Sequence, residues 1–182
     1  MINNNKVYLR ALEPDDYKIS IEWRKNSKIW DMVLGRRYFV SKDFEKKWVE
    51  SANNDPSHLK LAICDKDNGK YIGNIYLTNI NFFSKSASFA ILIGDAQYWG
   101  GGFGSEATML ILHHAFYDLG LERVESKQLL NNKGSIRLHE KCGFKKEGIL
   151  RKYAFKDGRL QDVNLMSILK SDFDTLILNY NL

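Results

Sequence analysis

Residues 99–107 read Trp99-Gly100-Gly101-Gly102-Phe103-Gly104-Ser105-Glu106-Ala107, a cluster of glycines between an apolar strand-like run and an apolar helix-like one. A strand that turns through glycines straight into a helix leaves the first helical amides unpaired, aimed outward at the positive end of the helix dipole. That is the chemistry of phosphate binding, and glycine lets the main chain come close to the ligand. A glycine-rich turn without a ligand is the competing account. It leaves unexplained why Gly102 and Gly104 stand at the start of a helix that each weakens by about 1 kcal/mol relative to alanine. Two familiar phosphate turns fit poorly. Gly104-Ser105-Glu106 supplies no lysine, against a P-loop for ATP or GTP. The frame Gly102-x-Gly104-x-x-Ala107 matches the looser dinucleotide pattern, but the further βα units of a Rossmann oxidoreductase do not follow it.

Further along stands Asn132-Lys133-Gly134-Ser135-Ile136-Arg137-Leu138-His139-Glu140-Lys141-Cys142-Gly143-Phe144. The pair Trp-Gly-x-Gly-x-Gly-x-Glu-Ala and Asn-x-x-Ser-x-x-x-x-Glu-Lys-x-Gly-Phe resembles the Gcn5-related N-acetyltransferases, in particular their ribosomal-protein-acetyltransferase-like branch. The resemblance extends to Leu9-Arg10-Ala11-Leu12-Glu13-Pro14-Asp15-Asp16, to Phe144-Lys145-Lys146-Glu147-Gly148, and to Asp157-Gly158, Asp162 and Met166-x-x-Leu169, nearly the whole chain.

The resemblance implies an acetyl-CoA-dependent enzyme in which a primary amine attacks the thioester directly, in a ternary complex without a covalent acyl-enzyme. It assigns the CoA pyrophosphate to the amides of Gly100, Gly101, Gly102, Phe103, Gly104 and Ser105. Backbone contact with the pantetheine arm and the developing oxyanion falls to Leu92, Ile93 and Gly94. Trp99 is read both as a ligand contact and as a core aromatic. Asn132 and Ser135 match positions that reach the pantetheine or the thiolate; as purely structural residues they would be a turn residue and a helix N-cap. His139 departs from the family pattern, which often places a tyrosine there to protonate the leaving thiolate. A protonated imidazole would do that work near neutral pH, and a packed helix residue is the alternative. Glu22 is the candidate base, set against a solvated helix face. Trp23 and the stretch 29–39, with Trp30, Met32, Arg36, Arg37 and Tyr38, are expected to line the acceptor cleft. Their aromatic and basic mix suits an acceptor with an anionic portion, such as a sugar nucleotide, better than a naked polyamine. A protein N-terminus, an aminoglycoside, a polyamine and an amino sugar all stay open, as does a CoA- or nucleotide-binding module without catalysis.

These motifs need a scaffold, and the chain is of a size to supply one as a single domain, 1–182. Its composition, 44% hydrophobic and 27% charged, is that of a globular protein, and no apolar run reaches membrane-spanning length. The start of the chain lacks a secretory pattern, so the expected location is cytoplasmic. Cys64 and Cys142 fit packing better than a disulfide or a metal cluster, and no metal is expected. The +5 charge is spread along the chain. Lysines at 42, 46, 47 and at 141, 145, 146 lack interleaved aromatics, against a nucleic-acid partner. The expected partner is a small amine or a protein N-terminus, with a homodimer allowed.

Strands are expected at 6–10, 59–64, 71–77, 87–93, 123–129, 144–155 and 160–169, with hairpin turns at Asp65–Gly69 and Asp157-Gly158. Helices are expected from Glu13-Pro14 onward, over 41–52, 104–119 and 135–141. Ile19, Trp23 and Ile29 are expected to face the core, and Phe44, Trp48 and Val49 to form a packing face. The strand after the long helix follows in crossover order and should lie parallel to its predecessor. The fold class is therefore mixed α/β, a mostly antiparallel sheet with one central parallel pair. The resemblance adds about seven strands, about four flanking helices and a splay of the parallel pair, into which acetyl-CoA enters.

Overall fold

The structure, a computed structural model, describes residues 6–35, 39–52 and 54–179; Arg36, Arg37 and Tyr38 lie outside them. In order it runs β1 (Val7–Ala11), a 3-10 turn (Pro14–Asp16), α1 (Tyr17–Arg24), α2 (Ser27–Trp30), α3 (Lys42–Glu50), β2 (Leu59–Asp65), β3 (Tyr71–Asn81) and β4 (Ser86–Ile93). A second 3-10 turn (Ala96–Tyr98) leads to α4 (Phe103–His113), a π turn (His114–Asp118), β5 (Arg123–Leu129), α5 (Lys133–Lys141), β6 (Lys145–Lys156), β7 (Arg159–Leu169) and α6 (Lys170–Asn179).

The strands form one sheet in the order β1-β2-β3-β4-β5-β7-β6. Every neighbouring pair is antiparallel except β4 and β5, which are parallel because α4 carries the chain back across the sheet between them. At the β6–β7 turn, Asp157 and Gly158 both take left-handed φ, 52° and 75°. A two-residue hairpin of the right twist demands that conformation, and Asp-Gly meets it at little cost.

The parallel pair is short. Ser86–Phe89 pair with Arg123–Ser126, and there the ladder ends. β4 continues to Ile93 along β3, while Lys127, Gln128 and Leu129 continue along β7. Each strand stays bonded on its outer side, so the two limbs part and leave a V-shaped gap.

Apolar side chains pack on both faces. Ile63, Ile75, Phe89, Ile111, Phe116 and Ile168 belong to the larger core, under α4 and α6. On the opposite face of β2, Ala62 and Cys64 pack with Trp23, Ile29 and Tyr71. Both cysteines are buried free thiols. Several expectations are corrected. Ile19 is 42% and Phe44 61% exposed, because α1 and α3 meet through Ser20, Arg24 and Glu45 instead. The long helix breaks from α into π geometry at His114. The closing helix α6, which buries Phe173, follows β7 directly and had not been expected.

Candidate active site

β4 ends at Ile93, and the chain must then turn sharply to start α4. The Asp95 carboxylate accepts from the Gln97 amide at 3.0 Å and the Trp99 indole donates to the Ile93 carbonyl at 2.9 Å, which together fix the turn. Gly100 and Gly102 take φ of 76° and 88°, a region that side chains resist. Gly102 is the N-cap, and the Glu106 amide, donating to the Gly102 carbonyl at 3.1 Å, is the first to find a helical partner. The amides of Phe103, Gly104 and Ser105 are left at the helix start without intrahelical acceptors. A Cβ at Gly104 would lie 2.8 Å from Leu138 Cδ1, so this glycine lets α5 pack against α4. Beside Gly100 there is open space. Lys6 donates to the Gly101 carbonyl at 2.6 Å and brings a positive charge to the same turn.

A cleft of about 810 Å³ runs from this turn through the V-shaped gap to α1, α2 and α3. Its walls include Ala90–Ile93 of β4 and Ser126–Gln128 of β5. Strand alternation decides which β4 amides face it. The Gly94 amide donates to the Ile72 carbonyl at 2.8 Å in register with the β3–β4 ladder, which directs Leu92 to β3 as well and leaves the Ile91 and Ile93 amides facing β5. Of the three residues expected to offer backbone contacts, Ile93 directs its amide to the gap, as does Ile91, whereas the amides of Leu92 and Gly94 turn to β3. Gly94 serves packing: a Cβ there would lie 2.0 Å from Trp23 Cδ2. On the opposite limb, Gln128 is 3% exposed, and neither of its side-chain polar atoms has a partner among the described residues. Asn164, its partner across β5 and β7, is also buried with an unsatisfied Oδ1, so the two form one buried polar pair behind the cleft wall. Together, the open glycine turn, its free amides and the cleft that leads from it fit an elongated ligand with a phosphate end.

His139 sits where the limbs part. It is 2% exposed and packs edge-on against Phe89 and Phe144. Nδ1 donates to the Ser135 carbonyl at 2.7 Å, and Nε2 lies 2.8 Å from Ser126 Oγ, which is itself 3.1 Å from the Phe89 carbonyl. Burial pulls the His139 pKa down to about 4. The expected protonated donor is therefore corrected: near neutral pH this imidazole is uncharged, with both nitrogens engaged. Nδ1 carries the proton, and the Ser126 oxygen that lies beside Nε2 donates its hydrogen to the Phe89 carbonyl. The helix N-cap expected of Ser135 is also corrected. Asn132 is the cap, its Oδ1 accepting from the Ser135 amide at 3.0 Å, while its Nδ2 donates to the Met32 carbonyl at 2.9 Å. Asn132 and Ser135 both line the cleft.

The far end of the cleft brings together Trp23, Trp30 and Met32, as expected, with Arg24, Glu45, Trp48 and Tyr76, which had not been. Glu45 is 1% exposed; its two oxygens accept from Ser20 Oγ at 2.7 Å and Arg24 Nε at 2.9 Å. Arg24 lies over the rings of Trp30 and Trp48, 5.0 and 5.5 Å from their centroids. Burial pushes the Tyr76 phenol well up. Glu22 is corrected as a base: it is exposed, pairs with Lys25 at 2.6 Å and does not line the cleft. Spacing gives no warning of Glu45, because its partners lie on a different helix. No group of His, Cys, Asp and Glu suited to a metal occurs among the described residues. No helix there is long and apolar enough to cross a membrane.

Residues 6–145 match the acetyltransferase (GNAT) domain family. Among curated proteins, the spermidine N(1)-acetyltransferase of Vibrio cholerae is 29% identical over 93% of this chain and 96% of its own. A prophage-derived uncharacterized N-acetyltransferase of Bacillus subtilis is 32% identical over 91% of each. Among solved structures, the Vibrio cholerae spermidine N-acetyltransferase in complex with CoA and spermine superposes with a TM-score of 0.84, at 29% identity, over 93% of this chain and 99% of that one.

Proposed function

Since this chain belongs to the GNAT acetyltransferase family and uses acetyl-CoA, we propose that it acetylates a primary amine by direct attack in a ternary complex. The observation that carries the reading is the parting of β4 and β5 beside the glycine N-cap of α4. Phosphates are received by the amides of Phe103, Gly104 and Ser105 and by the charge of Lys6, and the arm of the co-substrate lies along β4. The Ile91 and Ile93 amides are placed to donate to oxygen on the reacting carbonyl, where negative charge develops. The amine enters from the end walled by Trp30 and Met32. A C–N bond forms, the C–S bond breaks, CoA leaves as thiolate and the amine's proton passes to water. Thiolate leaves readily near neutral pH, which fits a site whose histidine is neutral. Cations on the cleft walls favour the uncharged, nucleophilic form of the amine, which fits a site without a free carboxylate.

Initial rates of thiol release, with acetyl-CoA and an amine varied together, test this reading. Intersecting lines are expected for a ternary complex; parallel lines, or acetyl label retained on the protein, refute direct attack. Acetyl-CoA binding without thiol release from any amine would leave a binding module. Spermidine, the substrate named for the Vibrio cholerae relative, belongs in the panel beside amino sugars, aminoglycosides and peptide N-termini.

A further inference from the structure

The charged groups on the cleft wall are unequal in number and in freedom. Among the described residues the lining includes Arg24, Lys28, Lys127, Arg137 and Lys141, against Glu45 alone; Arg24 is paired with Glu45 and Lys127 with Glu125. Glu45 is 1% exposed, and its two oxygens already accept from Ser20 and Arg24. A polyamine brings one amine to the reaction and two or more ammonium groups that still need partners. Carboxylates or open aromatic faces are the usual ones. Here the carboxylate is occupied, and the Trp30 and Trp48 rings already carry the Arg24 guanidinium. Arg137 and Lys141 belong to α5, which packs at the start of α4, and are on hand for the phosphates of CoA. Lys28 is different. It stands on α2 beside Trp30, and its ammonium is paired with no carboxylate among the described residues.

We propose that the acceptor is a primary amine that also carries an anionic group, a carboxylate or a phosphate, and that Lys28 receives that group. This rests on the acetyltransferase reading and narrows its acceptor. The anion would neutralise the surplus charge at this end of the cleft, while the same cations keep the neighbouring amine unprotonated for attack. Among the described residues, the cleft wall offers no unpaired carboxylate to the remaining ammonium groups of a polyamine.

The test uses the full chain, saturating acetyl-CoA and amines in matched pairs: glucosamine 6-phosphate against glucosamine, and alanyl-alanine against alanyl-alaninamide, with spermidine alongside. The anionic member of a pair is expected to show at least about tenfold higher kcat/KM, with spermidine below both. Lys28→Glu should shrink that ratio about fivefold or more while leaving the acetyl-CoA Kd unchanged. If no amine in the panel turns over, thermal stabilisation of the CoA complex by the same compounds decides: the anionic members must stabilise it and spermidine must not. Acetyl-CoA consumed on spermidine or on the uncharged partners equally well, or a ratio indifferent to Lys28→Glu, overturns this inference and leaves the acetyltransferase reading standing. Failure of acetyl-CoA itself to bind defeats both.

Discussion

His139 gives the sharpest test of the site, because its surroundings make a signed claim about pH. In the folded protein the imidazole takes no proton until the pH reaches about 4, since its charged form would be buried against Phe89 and Phe144. In the unfolded chain it takes one near the ordinary value of 6.5. Protons therefore favour the unfolded state between those values. The native state keeps its full stability above pH 6.5 and loses it progressively as the pH falls to 4, by about 3 kcal/mol from this one residue. His139→Gln retains a side chain that can hydrogen-bond and removes the titration. At neutral pH the variant should be less stable by roughly 1–3 kcal/mol, because the imidazole's bonds to Ser135 and Ser126 are remade imperfectly. Urea unfolding followed by circular dichroism at pH 7, 6, 5 and 4 should show that deficit shrinking by about 3 kcal/mol, so that the variant equals or exceeds wild type in acid. A difference independent of pH refutes the reasoning, as does an NMR titration of the His139 ring at or above 6.5. The outcome bears on catalysis too. A ring neutral at pH 7 contributes no limb to the kcat profile, so wild type and His139→Gln should share the shape of that profile.

Gly102→Glu puts a side chain at a φ of 88° and a carboxylate in the space for phosphate, so a folded variant should lose acetyl-CoA affinity by about a hundredfold in calorimetry; unchanged affinity would displace the cofactor from this turn. Glu22→Ala should leave kcat within about twofold of wild type, because this exposed carboxylate pairs only with Lys25 and stands off the cleft; a large loss would restore it as the base. Asn132→Ala removes the cap of α5 at a cost of about 1 kcal/mol and frees the Met32 carbonyl, so steady-state kinetics should show the acceptor KM rising more than that of acetyl-CoA. Gly94→Ala forces the Trp23 indole aside and should cost about 1–3 kcal/mol in urea unfolding; a neutral result would mean that this packing is looser than described.

What could be read from the chain alone was what local geometry dictates. The turn at 100–104 and the hairpin at Asp157-Gly158 announce themselves because left-handed φ selects glycine, and the parallel placement of β5 follows from a helix between two strands. The site's finer structure depends on partners distant in sequence. Glu45 meets Ser20 and Arg24, Ser126 meets His139 and Phe89, and Gln128 lies unsatisfied on the cleft wall; nothing local distinguishes these residues from surface polar ones. The same reason undid the placement of Ile19 and Phe44, since an amphipathic pattern does not say which neighbour a helix will meet. Family likeness offered a role for His139, but the position was filled by a different side chain whose behaviour is set by burial. The α6 signal was present, with Phe173, Leu176 and Ile177 at helical spacing, and was hidden by its direct continuation from β7.

The cleft wall between Trp30 and Gly35 is fastened through its main chain. Asn132 donates to the Met32 carbonyl, and the Lys156 ammonium donates to the carbonyls of Trp30 and Gly35 at 2.5 and 3.1 Å. All three acceptors are main-chain atoms. Trp30 adds a side-chain tie of its own, its indole donating to the Trp23 carbonyl at 3.1 Å. A substitution at 31–34 therefore leaves these main-chain bonds in place, so the backbone of the segment holds its course while its side chains change.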